Sequence, residues 1–471
     1  MLRQYCKGGS TFDEISKKTG KSKHEVKKEV YNSDYYKLIK RISNNYQNFS
    51  VFVKLFNNRN NNKDKNVIEK IDDIHYRMKY QPGQKIIKPA PHIGQRKLLL
   101  NEIQFLNKVN EEICVYVGAA PGNKTHYLSN LFPKIKFILI DPNKFDLFNP
   151  SNNKSHRREK HKDIVHIYNH YPTNSNTYCD NKKISEMNKK EKTNLISFIK
   201  NSNYKIFIIE DYMDITHANF IKSLSMDLSF ISDVRSNSSN SGSPLDADIY
   251  WNTSMMYNWI TIIKPVKSML KIRMPYGSDK DKKIINNKEF KPDFMLSKKN
   301  GIDFPKNYMN NEFYMSKSEL FIQPWAGISS TELRMYINKN DINNIIKYNV
   351  ELIEDKFYYY NSINRSWVCH SNNNADKSLH FCYCNDCALE NKILTEYNKN
   401  NVKNMVKQIN IITGRHLSVH HKIPIWKNVS EDIDLFTLMV KKSVDEREDV
   451  VKKESQKMSR YTKHRGDFGK E

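Results

Sequence analysis
The chain of 471 residues carries 77 lysines and arginines against 52 aspartates and glutamates, a net charge of +25, with a pI of about 9.4; that excess favours a polyanionic partner such as nucleic acid. Seven cysteines in so long a chain are too few for a disulfide framework. With no apolar signal core at the N-terminus and no apolar run of membrane-spanning length, a soluble intracellular protein is expected, with one large α/β domain and a small extra module.

In chain order, residues 11–31 hold two capping-box patterns, Thr11-x-x-Glu14 and Ser22-x-x-Glu25, separated by Gly20. Phe12, Ile15, Val26 and Val30 would meet between two short helices. Residues 1–56 are therefore expected to form a small helical region, either a helix-turn-helix-like unit or a plain helical hairpin. The polar run at 57–66 reads as a linker. A helix is predicted over 95–110, with Leu99, Ile103, Leu106 and Val109 on one stripe.

The stretch Ile113-Cys-Val-Tyr-Val-Gly-Ala-Ala-Pro-Gly122 follows: an apolar, β-branched run, a small-residue turn between two glycines, and a helical segment at 123–132. The next strand, Phe137-Ile-Leu-Ile, ends in Asp141, nineteen residues past Gly122. A doubly wound sheet places an acid at that spacing against the ribose hydroxyls of a nucleoside cofactor. The turn is not Gly-x-Gly-x-x-Gly. It therefore fits an adenosine-type cofactor without a pyrophosphate, such as S-adenosylmethionine, better than a dinucleotide; an ordinary strand-turn-helix corner is the competing reading.

Between 146 and 203 apolar periodicity fades and asparagine, lysine and histidine dominate, which reads as a largely surface insertion. The sheet pattern resumes with a strand at 204–209, a helix at 218–224 and a strand at 228–233 that ends in Asp233. A helix at 245–263, stopped by Pro265, and strands at 268–273 and 319–323 complete it. Strands alternating with helices predict a Rossmann-like α/β fold, mostly parallel, with its site at the carboxyl ends of the strands. Asp233 ends one strand, Lys271 lies in another, Glu332 follows a third, and Lys97 sits on the leading helix. Two lysines and two carboxylates converging on one cleft suit proton transfer, or a structural ion-pair network.

The wording and order of these segments resemble the poxvirus cap-specific mRNA 2′-O-methyltransferases, which also serve as the processivity subunit of the viral poly(A) polymerase. The resemblance runs through Gly94-Gln-Arg-Lys-Leu-Leu-Leu100, Val115-Tyr-Val-Gly-Ala-Ala-Pro-Gly122, Ile138-Leu-Ile-Asp141, Ile231-Ser-Asp-Val-Arg-Ser236, Lys264-Pro-Val-Lys-Ser-Met-Leu-Lys271, Gln323-Pro-Trp325 and Glu332-Leu-Arg334. It implies an S-adenosylmethionine-dependent RNA 2′-O-methyltransferase of a large cytoplasmic DNA virus. The family's Lys-Asp-Lys-Glu tetrad falls on Lys97, Asp233, Lys271 and Glu332. A ribose hydroxyl is a poor nucleophile, and a lysine serves as base only when its pKa is lowered, by desolvation or by a neighbouring cation. The expectation is Lys271 as base, with Lys97 as that neighbour and Asp233 and Glu332 orienting the lysines and hydroxyl.

The resemblance also carries over cofactor positions at Gln95, Tyr116, Gly118, Gly122, Asp141, Met213 and Asp233; where the family has an arginine, this chain has Asn143. Cap-binding positions are Tyr80, Tyr276 and Glu354, two rings to sandwich a cationic methylated guanine and an acid to read it. Capped mRNA is the implied partner, with the poly(A) tail and a viral poly(A) polymerase catalytic subunit as further partners and no membrane. Two alternatives are a non-catalytic RNA-binding polymerase subunit and an internal RNA 2′-O-methyltransferase. The run from Cys369 to Cys387 lies outside the family pattern; Cys369, Cys382, Cys384 and Cys387 suggest a structural zinc, with buried free thiols as the other reading. The expected organisation is a methyltransferase domain at 67–365, interrupted at 146–203, a Cys/His-containing extension at 366–440 and a charged tail at 441–471.

Overall fold
Aliphatic and β-branched runs without polar alternation make strands buried on both faces, as a parallel sheet between helices requires. The chain follows that rule at β1 (Ile113–Val117), β2 (Lys136–Ile140) and, further on, β5 (Ile206–Ile209) and β6 (Leu228–Ser232), where nearly every residue is buried. A computed structural model describes residues 16–17, 20–22, 24–26, 67–75, 77, 94–147, 163–171, 176–178, 181–235, 246–275, 313–327, 330–361 and 385–413. Among these, β3 (Ile164–Tyr168), β4 (Asn176–Thr177), β7 (Lys267–Arg273), β9 (Glu319–Phe321) and β10 (Glu332–Asn338) complete a nine-stranded sheet of order β4-β3-β5-β2-β1-β6-β7-β10-β9. Strands β4 through β7 in that order are parallel, and β10 runs antiparallel to both β7 and β9. β8 (Phe313–Ser316) and β11 (Ile345–Tyr348) pair separately.

Side chains alternate across the sheet, so odd and even positions build two cores. Cys114, Tyr116, Phe137, Leu139, Ile231 and Met269 face one layer, formed by α1 (Gly94–Leu106), α2 (Thr125–Leu131), α7 (Asn385–Asn398) and α8 (Val402–Ile412). Val115, Val117, Ile138, Ile140, Phe230 and Leu270 face the other, formed by α3 (Lys189–Asn201), α4 (Ile215–Ser223), α5 (Asp246–Ile263) and α6 (Val350–Tyr359). The chain leaves β1 on one side to β2 and on the other to β6, the kind of switch point at which a doubly wound sheet binds its ligand, at the carboxyl ends of the strands.

Three expectations need correction. Residues 163–203 are not a surface insertion: β3 is an interior strand, and Ile184, Leu195 and Ile199 are fully buried. Asn188 and Glu191 form the capping box that starts α3, each side chain taking the other's backbone N–H at 3.0 and 2.6 Å. Residues 385–412 are not a separate extension either. Leu389, Ile393, Leu394, Met405 and Ile409 are buried against α1 and the sheet, each such side chain contributing about 1.5–3 kcal/mol before entropy. Finally, Glu332 does not follow a strand; it opens β10, whose antiparallel direction brings its first residue to the edge where the parallel strands end.

At the N-terminus, Ser22 Oγ accepts from Glu25 N at 3.2 Å and the Glu25 carboxylate accepts from Ser22 N at 2.8 Å, the second of the two capping boxes. Thr11, Glu14, the run at 57–66, residues 148–162 and 441–471 lie outside the described residues.

Candidate active site
Strand parity decides which side chains meet. Asp233 follows β6 in the phase of Ile231, Lys271 shares the phase of Met269, and Glu332 and Arg334 share that of Tyr336. All four therefore project to the face covered by α1, which delivers Lys97 from its first turn. Lys271 and Arg334 stand directly opposite across the β7–β10 ladder. Like charges so placed repel, and the two carboxylates between them offset the repulsion.

Glu332 is the hub. It is 4% exposed, and its Oε1 accepts from Lys97 Nζ at 2.6 Å and from Gln323 Nε2 at 3.0 Å. Its Oε2 accepts from Arg235 Nη2 at 3.1 Å and lies 3.9 Å from Lys271 Nζ. Asp233 Oδ1 lies 3.3 Å from Lys271 Nζ and 2.7 Å from Arg334 Nη1. Burial by itself would raise the Glu332 carboxyl, yet Lys271, Lys97 and Arg334 hold it well below the usual carboxylate range. Asp233 is likewise held low, burial being outweighed by Lys271 and Arg334. For Lys97 burial wins: it pushes the ammonium below the ordinary lysine range against the attraction of Glu332, with Arg334 and Lys271 adding to the push. The Arg334 guanidinium keeps its proton despite burial because Asp233 and Glu332 face it.

A small open cleft lies beside this cluster, lined by Lys271, Glu332, Arg235 and Arg273 on the strand side and by Asn252 and Thr253 from α5. Lys97 is not among its lining residues. The two lysines are about equally buried, with side chains 11% and 12% exposed.

The glycine turn lies alongside. Gly118 has φ +77°, and a Cβ there would stand 3.0 Å from the backbone of Asp233 and Val234, so only glycine lets the β1 turn lie against the end of β6. Gly122, at φ +71°, is closed in by Leu147 and Phe145, whose side chains a Cβ would meet at 2.6 and 2.9 Å; its need for glycine comes from the chain itself. Asp141, buried at the end of β2, accepts from Ala120 N at 3.1 Å and from Asn143 N and Nδ2, both at 2.9 Å. Asn143 thus steadies the acid. The Tyr116 hydroxyl donates to Glu102 Oε1 at 2.7 Å, beneath α1, and Lys124 Nζ reaches the same oxygen at 2.7 Å. Met213 is buried just past β5, and Gln95 is exposed on the first turn of α1.

Glu354 is half-buried on α6, where burial and the neighbouring Asp355 and Glu351 push its carboxyl up. Tyr80 and Tyr276 lie outside the described residues, as do Cys369, Cys382 and Cys384. Cys387 is buried in the apolar layer under α7, and among the described residues no group of three or more His, Cys, Asp or Glu is placed to hold a metal. Three members of the network have no place in the sequence reading: Arg334, Arg235 and Gln323. All three stand inside the family motifs; for Arg334, a basic residue two places after Glu332 on a strand, hence on the same face, was the available signal.

A family model described as "Poly A polymerase regulatory subunit" matches residues 62–201. The "Cap-specific mRNA (nucleoside-2'-O-)-methyltransferase" of Myxoma virus (strain Lausanne) is 24% identical over 397 residues, covering 79% of this chain and 94% of that protein. The protein of the same name from Fowlpox virus (strain NVSL) is 25% identical over 289 residues, covering 57% of this chain and 67% of its own length. Both comparisons bear out the resemblance to the poxvirus family carried by the motifs.

Proposed function
We propose that the chain is a cap-specific mRNA 2′-O-methyltransferase, methylating the ribose of the first transcribed nucleotide of capped RNA with S-adenosylmethionine as donor. The observation that carries the proposal is the Lys97–Glu332–Lys271–Asp233 cluster, with Lys271 and Glu332 lining the adjoining cleft.

The residues around the turn fit the cofactor: a buried carboxylate at Asp141 whose Oδ2 can still accept from a hydroxyl, a left-handed glycine at Gly118 for close backbone approach, and the apolar Met213 after the neighbouring strand. Gln95, Tyr116, Gly122 and Asp233 complete the proposed set. When bound, S-adenosylmethionine supplies an electrophilic methyl group. Lys271 then takes the proton of the 2′-hydroxyl while Asp233 and Glu332 fix the direction of its Nζ. Lys97 and Arg334 neutralise those carboxylates so that neither competes for the proton. Orienting the two reactants supplies much of the acceleration. Tyr80, Tyr276 and Glu354 are proposed to hold the methylated guanine.

The test is transfer of labelled methyl from S-adenosylmethionine to short RNA, capped or uncapped, by the parent and by Lys271→Ala. Cap-dependent transfer lost in the variant is expected. Transfer indifferent to the cap would move the function to internal 2′-hydroxyls. The second reading, a subunit of a viral poly(A) polymerase, is favoured by the name of the matching family model. It predicts longer tails per binding event when the chain is added to that polymerase. No described helix is long and apolar enough to cross a membrane.

A further inference from the structure
Glu390 is fully buried on α7, outside every segment that carries a catalytic motif. A buried carboxylate requires partners at both oxygens. Here Oε2 accepts from Arg96 Nε at 2.8 Å and from Trp325 Nε1 at 2.7 Å, and Oε1 pairs with Arg96 Nη2. Arg96 Nη1 donates to Asn410 Oδ1 of α8 at 2.8 Å, so every guanidinium nitrogen is held by the two C-terminal helices.

The two partners of Glu390 lead to the same place. Arg96 immediately precedes Lys97, and clamping it fixes the first turn of α1, from which Lys97 Nζ reaches Glu332 Oε1. Trp325 stands two residues past Gln323, whose amide donates to Glu332 Oε1 at 3.0 Å and to its backbone carbonyl at 2.8 Å. Asn101, one turn along α1, ties the two branches by donating to both Lys97 O and Gln323 Oε1, at 2.8 and 3.1 Å. Such a network is weak evidence for stability alone, since replacing a buried ion pair with apolar groups is often neutral or stabilising. What the network does fix is the geometry of a carboxylate that must be correct to a fraction of an ångström.

We infer that Glu390 is a positioning residue for Glu332, acting through Arg96 and Lys97 on one side and through Trp325 and Gln323 on the other; the inference rests on methyl transfer at the tetrad. The full chain is assayed as the parent, as Trp325→Phe, which removes one donor to Glu390, and as the double variant Arg96→Met/Glu390→Gln. The double variant removes both charges together and leaves an acceptor for Trp325. Both should lower kcat about tenfold or more, with KM for S-adenosylmethionine and for capped RNA moving by less than about twofold. The double variant leaves the new amide at position 390 and Asn410 Oδ1 without Arg96, so its melting temperature should fall by a few degrees; kcat is therefore read well below that temperature, on protein whose circular dichroism matches the parent, which separates positioning from loss of the fold. Unchanged kcat beside an active parent overturns this inference alone, as does a rise in KM with kcat intact. An inactive parent overturns the methyl-transfer reading and this inference with it.

Discussion

Glu332→Gln is the sharpest perturbation of the site. Glu332 and Asp233 are the two carboxylates facing Lys97, Lys271 and Arg334. The amide keeps the shape and an acceptor for Lys97, but removes the charge on which the other groups converge. Removing one partner of a buried ion pair costs about 3–5 kcal/mol. For a domain of this size, at roughly 2 °C per kcal/mol, the melting temperature should fall by about 6–10 °C. The loss should depend on pH in a defined direction. Lys97 is already held below the lysine range by burial, and Glu332 is the chief group opposing that. Without Glu332 it drops further, so in the variant the folded state sheds a proton that the unfolded chain keeps. Stability then rises with pH between the folded pKa of Lys97 and its unfolded value near 10.4. Thermal unfolding at pH 6 and pH 9 should show the larger deficit at pH 6. A deficit equal at both, or larger at pH 9, would refute the charge balance assigned to the site.

In the parent, Asp233 and Glu332 have depressed folded pKa values. Their contribution is complete above the unfolded carboxylate pKa of about 4 and is lost as pH falls through the folded values, so denaturant midpoints should decline below about pH 5 and Asp233→Asn should flatten that decline. Gly118→Ala, strained at positive φ and 3.0 Å from backbone atoms, should lower the melting temperature and weaken binding of S-adenosylhomocysteine by calorimetry. Asn385 donates to Ile68 O at 3.0 Å and to the Tyr360 hydroxyl at 3.1 Å, and accepts from Ile68 N at 3.0 Å. Asn385→Ala should therefore cost about 2–4 kcal/mol in urea unfolding. Tyr116→Phe strips one hydrogen bond from Glu102 and should cost about 1 kcal/mol, and unaltered methyl transfer would remove its hydroxyl from the cofactor site.

The strands that hold the site were legible because parallel strands between helices are continuous apolar runs, as in Ile113-Cys-Val-Tyr-Val and Ile206-Phe-Ile-Ile. The four tetrad positions were legible through motif order. The path through 163–203 was not. Its buried set is a few residues, Ile184, Leu195 and Ile199 among them, scattered through lysines and asparagines that stay in solvent. A helix of mixed composition such as 385–398 is likewise ambiguous, because Asn385, Asp386 and Glu390 look like surface residues until their partners are known. Arg334 was hidden for a related reason. A strand residue's role depends on which neighbours its face meets, and β10 was not predicted as a strand.

The two C-terminal helices have a consequence for the order in which the protein is made. The face of the sheet that carries the tetrad is closed by residues synthesised about 300 positions after α1, and Asn385 joins the chain back to Ile68 near the start of the described fold. While the ribosome works from α1 to α8, on the order of tens of seconds, Leu99, Ile103 and their neighbours have only part of their final cover. The site therefore matures after its own residues have all emerged, and a chain ending before residue 385 would display an apolar surface where the finished protein has its catalytic layer.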